Sequence, residues 1–184
     1  MIVFDTETTG IVKSVDLPTA NQPRIIEFYG VKLDHEFTKV GHLHLLFNPQ
    51  EPLTDEIIRI TGITEETLKG SLPFAMHVRP LQRFFLGEEI VVGHNVNFDL
   101  DMLFIELKAI GFERKFPWPP AQLCTVEATE HLEGRRLNLS ALHKKLFDGE
   151  NFENAHRAES DVRATVDCLK ELVAKGIVTL PGLG

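Results

Sequence analysis

The sequence predicts an α/β domain spanning residues 1–184, and three observations lead there. The chain opens on three β-like runs, alternates helical periodicity with short buried strands, and closes on amphipathic helices. At 184 residues and 43% hydrophobic it can bury one core.

The first strand carries the earliest chemical signal. Ile2-Val3-Phe4 runs straight into Asp5-Thr6-Glu7, and side chains alternate faces along a strand, so Asp5 and Glu7 point the same way at its end. Like charges repel there, and a divalent cation such as Mg²⁺ or Mn²⁺, which takes hard oxygen ligands, would cancel the repulsion. A polar strand end facing water accounts for the same residues, and this stretch alone does not choose.

Arg24 to Asp34 and Thr38 to Phe47 read as a hairpin beside the first strand, closed by Asn48-Pro49. His42 and His44 share a face but have no third ligand nearby, so they read as solvated strand residues. Apolar spacing gives a helix over Leu53 to Thr61, Thr64 caps a short helix holding Glu66 and Thr67, and Pro73 to Phe85 is a further helix. Glu89 to Val92 is a buried strand that stops at Gly93. Asn97 caps a helix running through Leu100 to Ile110 and places Asp99 in its first turn. Acids in first turns complement the helix dipole, which is all Asp101 is expected to do. Asp99 also follows the carboxyl end of a strand, where α/β folds build sites.

Phe116-Pro117-Trp118-Pro119-Pro120 is a rigid connector with Trp118 as a packing residue. Leu123 to Val126 reads as a strand, Glu127 to Leu132 as a short helix, and Leu137 to Phe147 as a helix striped by Leu139, Leu142 and Leu146. Arg135, Arg136, Lys144 and Lys145 form either a solvated face or a phosphate approach. The last helix covers Ala158 to Lys175. His156 and Asp161 are five residues apart, which on a helix leaves their side chains about 140° apart. To serve one site, His156 must stand on the loop before the helix and Asp161 in its first turns.

Composition narrows the function classes. A net charge of -8 argues against a broad basic surface for long duplex, while an enzyme working on a strand end needs few phosphate contacts. Cys124 and Cys168 lack CxxC spacing, so two buried reduced thiols are expected rather than a disulfide or zinc site. No apolar run approaches the roughly 20 residues of a membrane span, and the first strand starts at Met1 without a basic leader. A cytoplasmic protein without membrane partners is expected.

Three motifs now stand in order: Asp5-Thr6-Glu7-Thr8-Thr9-Gly10, His94-Asn95-Val96-Asn97-Phe98-Asp99 and His156-Arg157-Ala158-Glu159-Ser160-Asp161. With Thr61-Gly62-Ile63-Thr64, Cys124-Thr125-Val126 and the segment from Leu137 to Leu142, they cover nearly the whole chain. The set resembles the DEDDh exonucleases, the DnaQ-like 3'-5' exonuclease superfamily that includes bacterial proofreading subunits.

The resemblance implies a ribonuclease H-like fold, a mixed central five-stranded sheet with helices on both faces. It implies that Asp5, Glu7, Asp99 and Asp161 hold two divalent cations, Mg²⁺ or Mn²⁺, with His156 as general base. Two cations roughly 3.5 to 4 Å apart can activate a water and stabilise the leaving 3'-oxygen. A histidine near neutral pKa on a mobile loop can take the water's proton once substrate is bound. The terminal-nucleotide pocket maps onto Thr6, Thr8, Thr9, Asn95 and Phe98, with Thr61 and Ile63 on a neighbouring loop. Proofreading subunits often carry histidine where this chain has Thr61, which counts against base wedging there. The expected activity is removal of nucleoside 5'-monophosphates from 3' ends of single-stranded DNA, in proofreading for a polymerase on a separate chain. An RNA exonuclease, differing at one contact to the 2'-hydroxyl, and a silent binding module are the alternatives. The apolar hairpin 25–47 offers a partner surface, and the short stretch 176–184 leaves no long docking tail.

Overall fold

The computed structural model describes residues 1–12, 14–153 and 155–180. Its strands are β1 (Ile2–Thr8), β2 (Ile25–Leu33), β3 (Lys39–Leu46), β4 (Ile90–Gly93) and β5 (Ala121–Cys124). Its α-helices are α1 (Asp55–Thr61), α2 (Val78–Phe85), α3 (Val96–Ala109), α4 (Thr125–Thr129), α5 (Leu139–Leu146) and α6 (Ala158–Ala174). The strands form one mixed sheet in the order β3-β2-β1-β4-β5. β2 runs antiparallel to both β1 and β3, whereas β1, β4 and β5 are parallel, so the carboxyl ends of these three lie along one edge.

Alternation along β1 divides the core. Ile2 and Phe4 pack with Phe84 and Phe85 of α2 and Met102 and Leu103 of α3, while Val3 packs with Val162, Leu169 and Leu172 of α6. The same alternation carries Asp5 and Glu7 toward α6 and Thr6 toward α3. Both faces are therefore covered by helices, and Asp5, Thr6 and Glu7 near the end of β1 are dealt to different neighbours.

Gly30 shows how closely the first face is packed. A Cβ built on it would lie 2.8 Å from Cε1 of Phe84 and 3.2 Å from the ring of Phe28, both buried. Gly30→Ala is expected to destabilise the protein by about 1–3 kcal/mol, a fall of several degrees in Tm. A thermal melt checks it, and an unchanged Tm would show that the aromatic pair can give way.

Several elements differ from the sequence reading. Residues 65–70 form hydrogen-bonded turns instead of a helix, although the Thr64 hydroxyl does accept the Thr67 N–H at 3.1 Å. The cap is made but no apolar stripe extends it. Phe74–His77 is a 3₁₀ turn, so α2 begins only at Val78. α3 is capped by Asn95, in the left-handed region at φ 72°, while the Asn97 side chain bonds Glu127 and Gln122 instead. β5 ends at Cys124, and Thr125 and Val126 already belong to α4. β2 lies inside the sheet with its apolar residues buried, so the hairpin offers only β3 to the outside. Both cysteines are free and buried. Residues 181–184 of the C-terminal stretch lie outside the described residues. Among the described residues no helix is long and apolar enough to cross a membrane.

Candidate active site

The site is built where β1 outruns β4. The β4 ladder pairs with β1 only through Ile2 and Val3, which leaves the far end of β1 open on that side. Asp99, in the first turn of α3, fills the opening: its Oδ1 accepts the Thr6 N–H at 2.9 Å and the Thr6 hydroxyl at 2.7 Å. These bonds fix a buried carboxylate against the back of β1.

From the other face, Asp161 in the first turn of α6 meets Asp5 and Glu7. One oxygen from each of Asp5, Glu7 and Asp161 lies within 4.8 Å of the other two. The register of β1 on β2 shifts between Glu7 and Thr8, a bulge of the kind that re-aims side chains beside sites. His156 stands just before α6, as the helical geometry requires, with its imidazole exposed. Its backbone N–H donates to both Asp161 oxygens at 3.3 and 3.2 Å.

The electrostatics of the cluster are those of unneutralised acids. Burial, then Asp99 and Glu7, hold the Asp5 carboxyl well above the usual carboxylate range. Burial, then Asp161 and Glu27, push Glu7 up to about 8. Asp99 is raised by burial to about 7 against the opposing Thr6 bonds, and Asp161 by burial to about 6 against the His156 N–H. Several carboxylates are thus brought together with too few donors to stabilise their charge. Three hard oxygen donors converging in this way fit a divalent cation, with Asp99 alongside.

Most of the candidate nucleotide-pocket side chains are engaged by other residues of the chain. The Thr6 hydroxyl is engaged by Asp99, and the Thr8 hydroxyl donates to the Gly10 carbonyl at 2.6 Å. Thr9 is tied to Glu51 at 2.8 Å and accepts the Arg24 N–H. Asn95 is exposed and its Oδ1 accepts from Arg136 at 3.4 Å. Phe98 is half-buried against the core. Ile63 is fully buried with Ile26, Leu53 and Leu68, and the Thr61 hydroxyl donates to the Ile57 carbonyl and accepts the Ile63 N–H. Neither presents a side chain to a ligand in this arrangement. Ile11, just past the β1 motif, is 79% exposed and offers an apolar surface that the sequence reading passed over.

Two other residues were missed. Glu27 is fully buried and bonded to Arg157, and His44, read as solvated, lies 2.8 Å from Glu27. A lone acid inside the run Ile25-Ile26-Glu27-Phe28-Tyr29 was the available signal, since an unpaired charge does not survive in such a strand.

Known proteins place this geometry. The chain is 34% identical over 175 residues to a PolC-type DNA polymerase III of Halalkalibacterium halodurans, covering 94% of this chain but 11% of that protein. The first curated relatives it matches are much longer, and the chain spans between 10 and 26% of them. Exonuclease X, solved in complex with 5' overhanging duplex DNA, superposes with a TM-score of 0.65 at 23% identity, over 95% of this chain and 92% of that one. The zinc-bound Escherichia coli ExoI–ssDNA complex superposes with a TM-score of 0.74 at 21% identity, over 99% of this chain and 41% of that one. Both likenesses speak for the ribonuclease H-like fold. The RNase T exonuclease family profile matches residues 2–169, taking in β1, α3 and the acid-bearing turn of α6, and the chain belongs to that exonuclease family.

Proposed function

We propose that this chain is a single-domain, metal-dependent 3'-5' exonuclease that removes nucleoside 5'-monophosphates from single-stranded DNA. The observation that carries the reading is the convergence of Asp5, Glu7 and Asp161 within 4.8 Å, with Asp99 fixed beside them. Those four residues would hold two divalent cations, Mg²⁺ or Mn²⁺. Such ions supply an activated water and charge stabilisation at the leaving oxygen. His156 takes a proton from the attacking water at a ring nitrogen as the water oxygen bonds phosphorus and the P–O3' bond breaks. Asp161 steadies it through the His156 N–H. Arg136, whose guanidinium donates to Asn95 at the head of α3, would meet a backbone phosphate.

The solved neighbours, one in complex with 5' overhanging duplex DNA and one with single-stranded DNA, support DNA as substrate. The polymerase relatives support proofreading beside a polymerase. The test is cleavage of matched 5'-labelled and 3'-labelled single-stranded DNA and RNA with Mg²⁺ or Mn²⁺, with Asp99→Ala as control. A stepwise ladder on 5'-labelled DNA that disappears in the variant is the expected result. A ladder on RNA alone would move the substrate to RNA, and no cleavage of either would overturn the enzymatic reading.

A further inference from the structure

Glu27 has no exposed surface, yet it sits directly across the β1–β2 ladder from Glu7, so the two side chains project from the same face of the sheet toward α6. Its oxygens are already engaged. Oε1 accepts from Nη2 of Arg157 at 2.9 Å, Oε2 accepts from Nε of Arg157 and from the Ala158 N–H at 3.2 Å each, and Nε2 of His44 lies 2.8 Å from Oε1. With donors on both oxygens, Glu27 is not a further ligand for the acid cluster. Burial alone would raise its carboxyl, but the Arg157, His44 and Ala158 bonds outweigh it and hold Glu27 below the usual range, as an anion.

Arg157 is the N-cap residue of α6 and Ala158 its first residue, so the buried carboxylate closes the start of that helix from below. The residue immediately before them is His156, a non-glycine in the left-handed region at φ 67°. Such a conformation costs about 1–3 kcal/mol and persists only where its surroundings impose it. Here they do so from both sides: the His156 N–H is held by Asp161, and the next two residues are held by Glu27. The imidazole itself is exposed.

We propose that Glu27 and Arg157 are positioning residues for His156, setting its backbone in this turn so that the imidazole reaches the acid cluster by side-chain rotation alone. His44 supports Glu27 from β3. The inference rests on reading His156 as the general base.

Arg157 lies at the more exposed end of the pair, and without it Glu27 keeps its bonds to Ala158 and His44, so Arg157→Ala carries the test. Single-turnover hydrolysis of a 5'-labelled DNA oligonucleotide is measured for Arg157→Ala, Arg157→Lys, His156→Ala and the double variant Arg157→Ala/His156→Ala. Outer-shell partners are typically worth about 10- to 100-fold, so Arg157→Ala is expected to lower the single-turnover rate constant by that factor, with the enzyme concentration at half-maximal rate within about threefold. Adding it to His156→Ala is expected to cost nothing more, because its effect passes through the imidazole. Lysine keeps the charge but not the two-pronged contact, and should restore part of the rate. An unchanged rate in Arg157→Ala, or full additivity with His156→Ala, would overturn the proposal while leaving the exonuclease reading standing. If wild-type protein fails to hydrolyse the oligonucleotide, that reading falls instead. Amide hydrogen exchange then still decides the anchoring: faster exchange at His156 and Ala158 in Arg157→Ala is expected, and equal exchange would overturn it. Glu27→Gln, run in parallel, should reproduce the Arg157→Ala pattern.

Discussion

Asp5→Ala is expected to slow hydrolysis of a single-stranded oligonucleotide by about a thousandfold or more, and at the same time to leave the metal-free protein as stable as before or more so. The first effect follows from its place in the cluster. Asp5 is the acid whose oxygen lies among those of Glu7 and Asp161 while its charge is also felt from Asp99, so its loss opens the ligand set in the middle. Metal ions contribute several kcal/mol to such reactions, and each 1.36 kcal/mol is a factor of ten. The second effect has the same origin. Every charged neighbour that shifts Asp5 raises it, so its ionised form is repelled from all sides in the absence of a cation. Removing a repelled charge relieves the fold, the usual opposition between a strained site and stability. Rates with Mn²⁺ and melts in EDTA test the two halves. Asp101→Ala, on the exposed side of the same α3 turn as Asp99, serves as control and should change the rate less than about twofold. Retention of activity within tenfold in Asp5→Ala would remove this residue from the site.

The contrast between Asp5 and Glu27 explains what the sequence could and could not reveal. Asp5 and Glu7 are legible from the strand they end, whereas Asp99 and Asp161 are ordinary first-turn acids taken alone and were marked out by the order of motifs the chain shares with the DEDDh exonucleases. Strand and helix identities followed from periodicity, which is a property of neighbours in the chain. Glu27 depends on Arg157, 130 residues away, and Glu106 on Arg24, 82 residues away, and no local period records such pairs. Caps were the other weak point. Asn97 was read as the cap of α3 because its side chain suits that role, whereas the fold uses Asn95 in a left-handed turn that brings β4 into the helix two residues sooner. A cap is chosen by the path of the chain between two packed elements, and that path is set by the sheet. The histidine followed the same logic in reverse. Its position before α6 follows from the 3.6-residue period once it shares a site with Asp161, but the bond on its own N–H comes from Asp161, and those on Arg157 and Ala158 come from Glu27 of β2.

Removing divalent cations is expected to stop hydrolysis, with a loss of about a thousandfold or more that added Mg²⁺ or Mn²⁺ restores, and the stability of the metal-free protein should then depend on pH in an unusual direction. Glu7 at about 8, Asp99 at about 7 and Asp161 at about 6 all lie above the values these groups have in an unfolded chain, roughly 4. Between those limits the folded protein retains protons that the unfolded chain has released, so stability must fall as pH rises. The penalty is absent below about pH 4, grows through the window from about 4 to about 8, and levels off above it. A bound cation reverses the balance, because it takes the deprotonated carboxylates and cancels the repulsion among them. Metal affinity should therefore rise with pH over the same window, and the gain in Tm on adding Mn²⁺ should be larger at about pH 8.5 than at about pH 5.5. Melts with and without EDTA at the two pH values measure that difference directly. A gain that stays constant or shrinks as pH rises would mean that the ion binds without displacing protons, and that the acids gathered by β1, α3 and α6 are not its ligands.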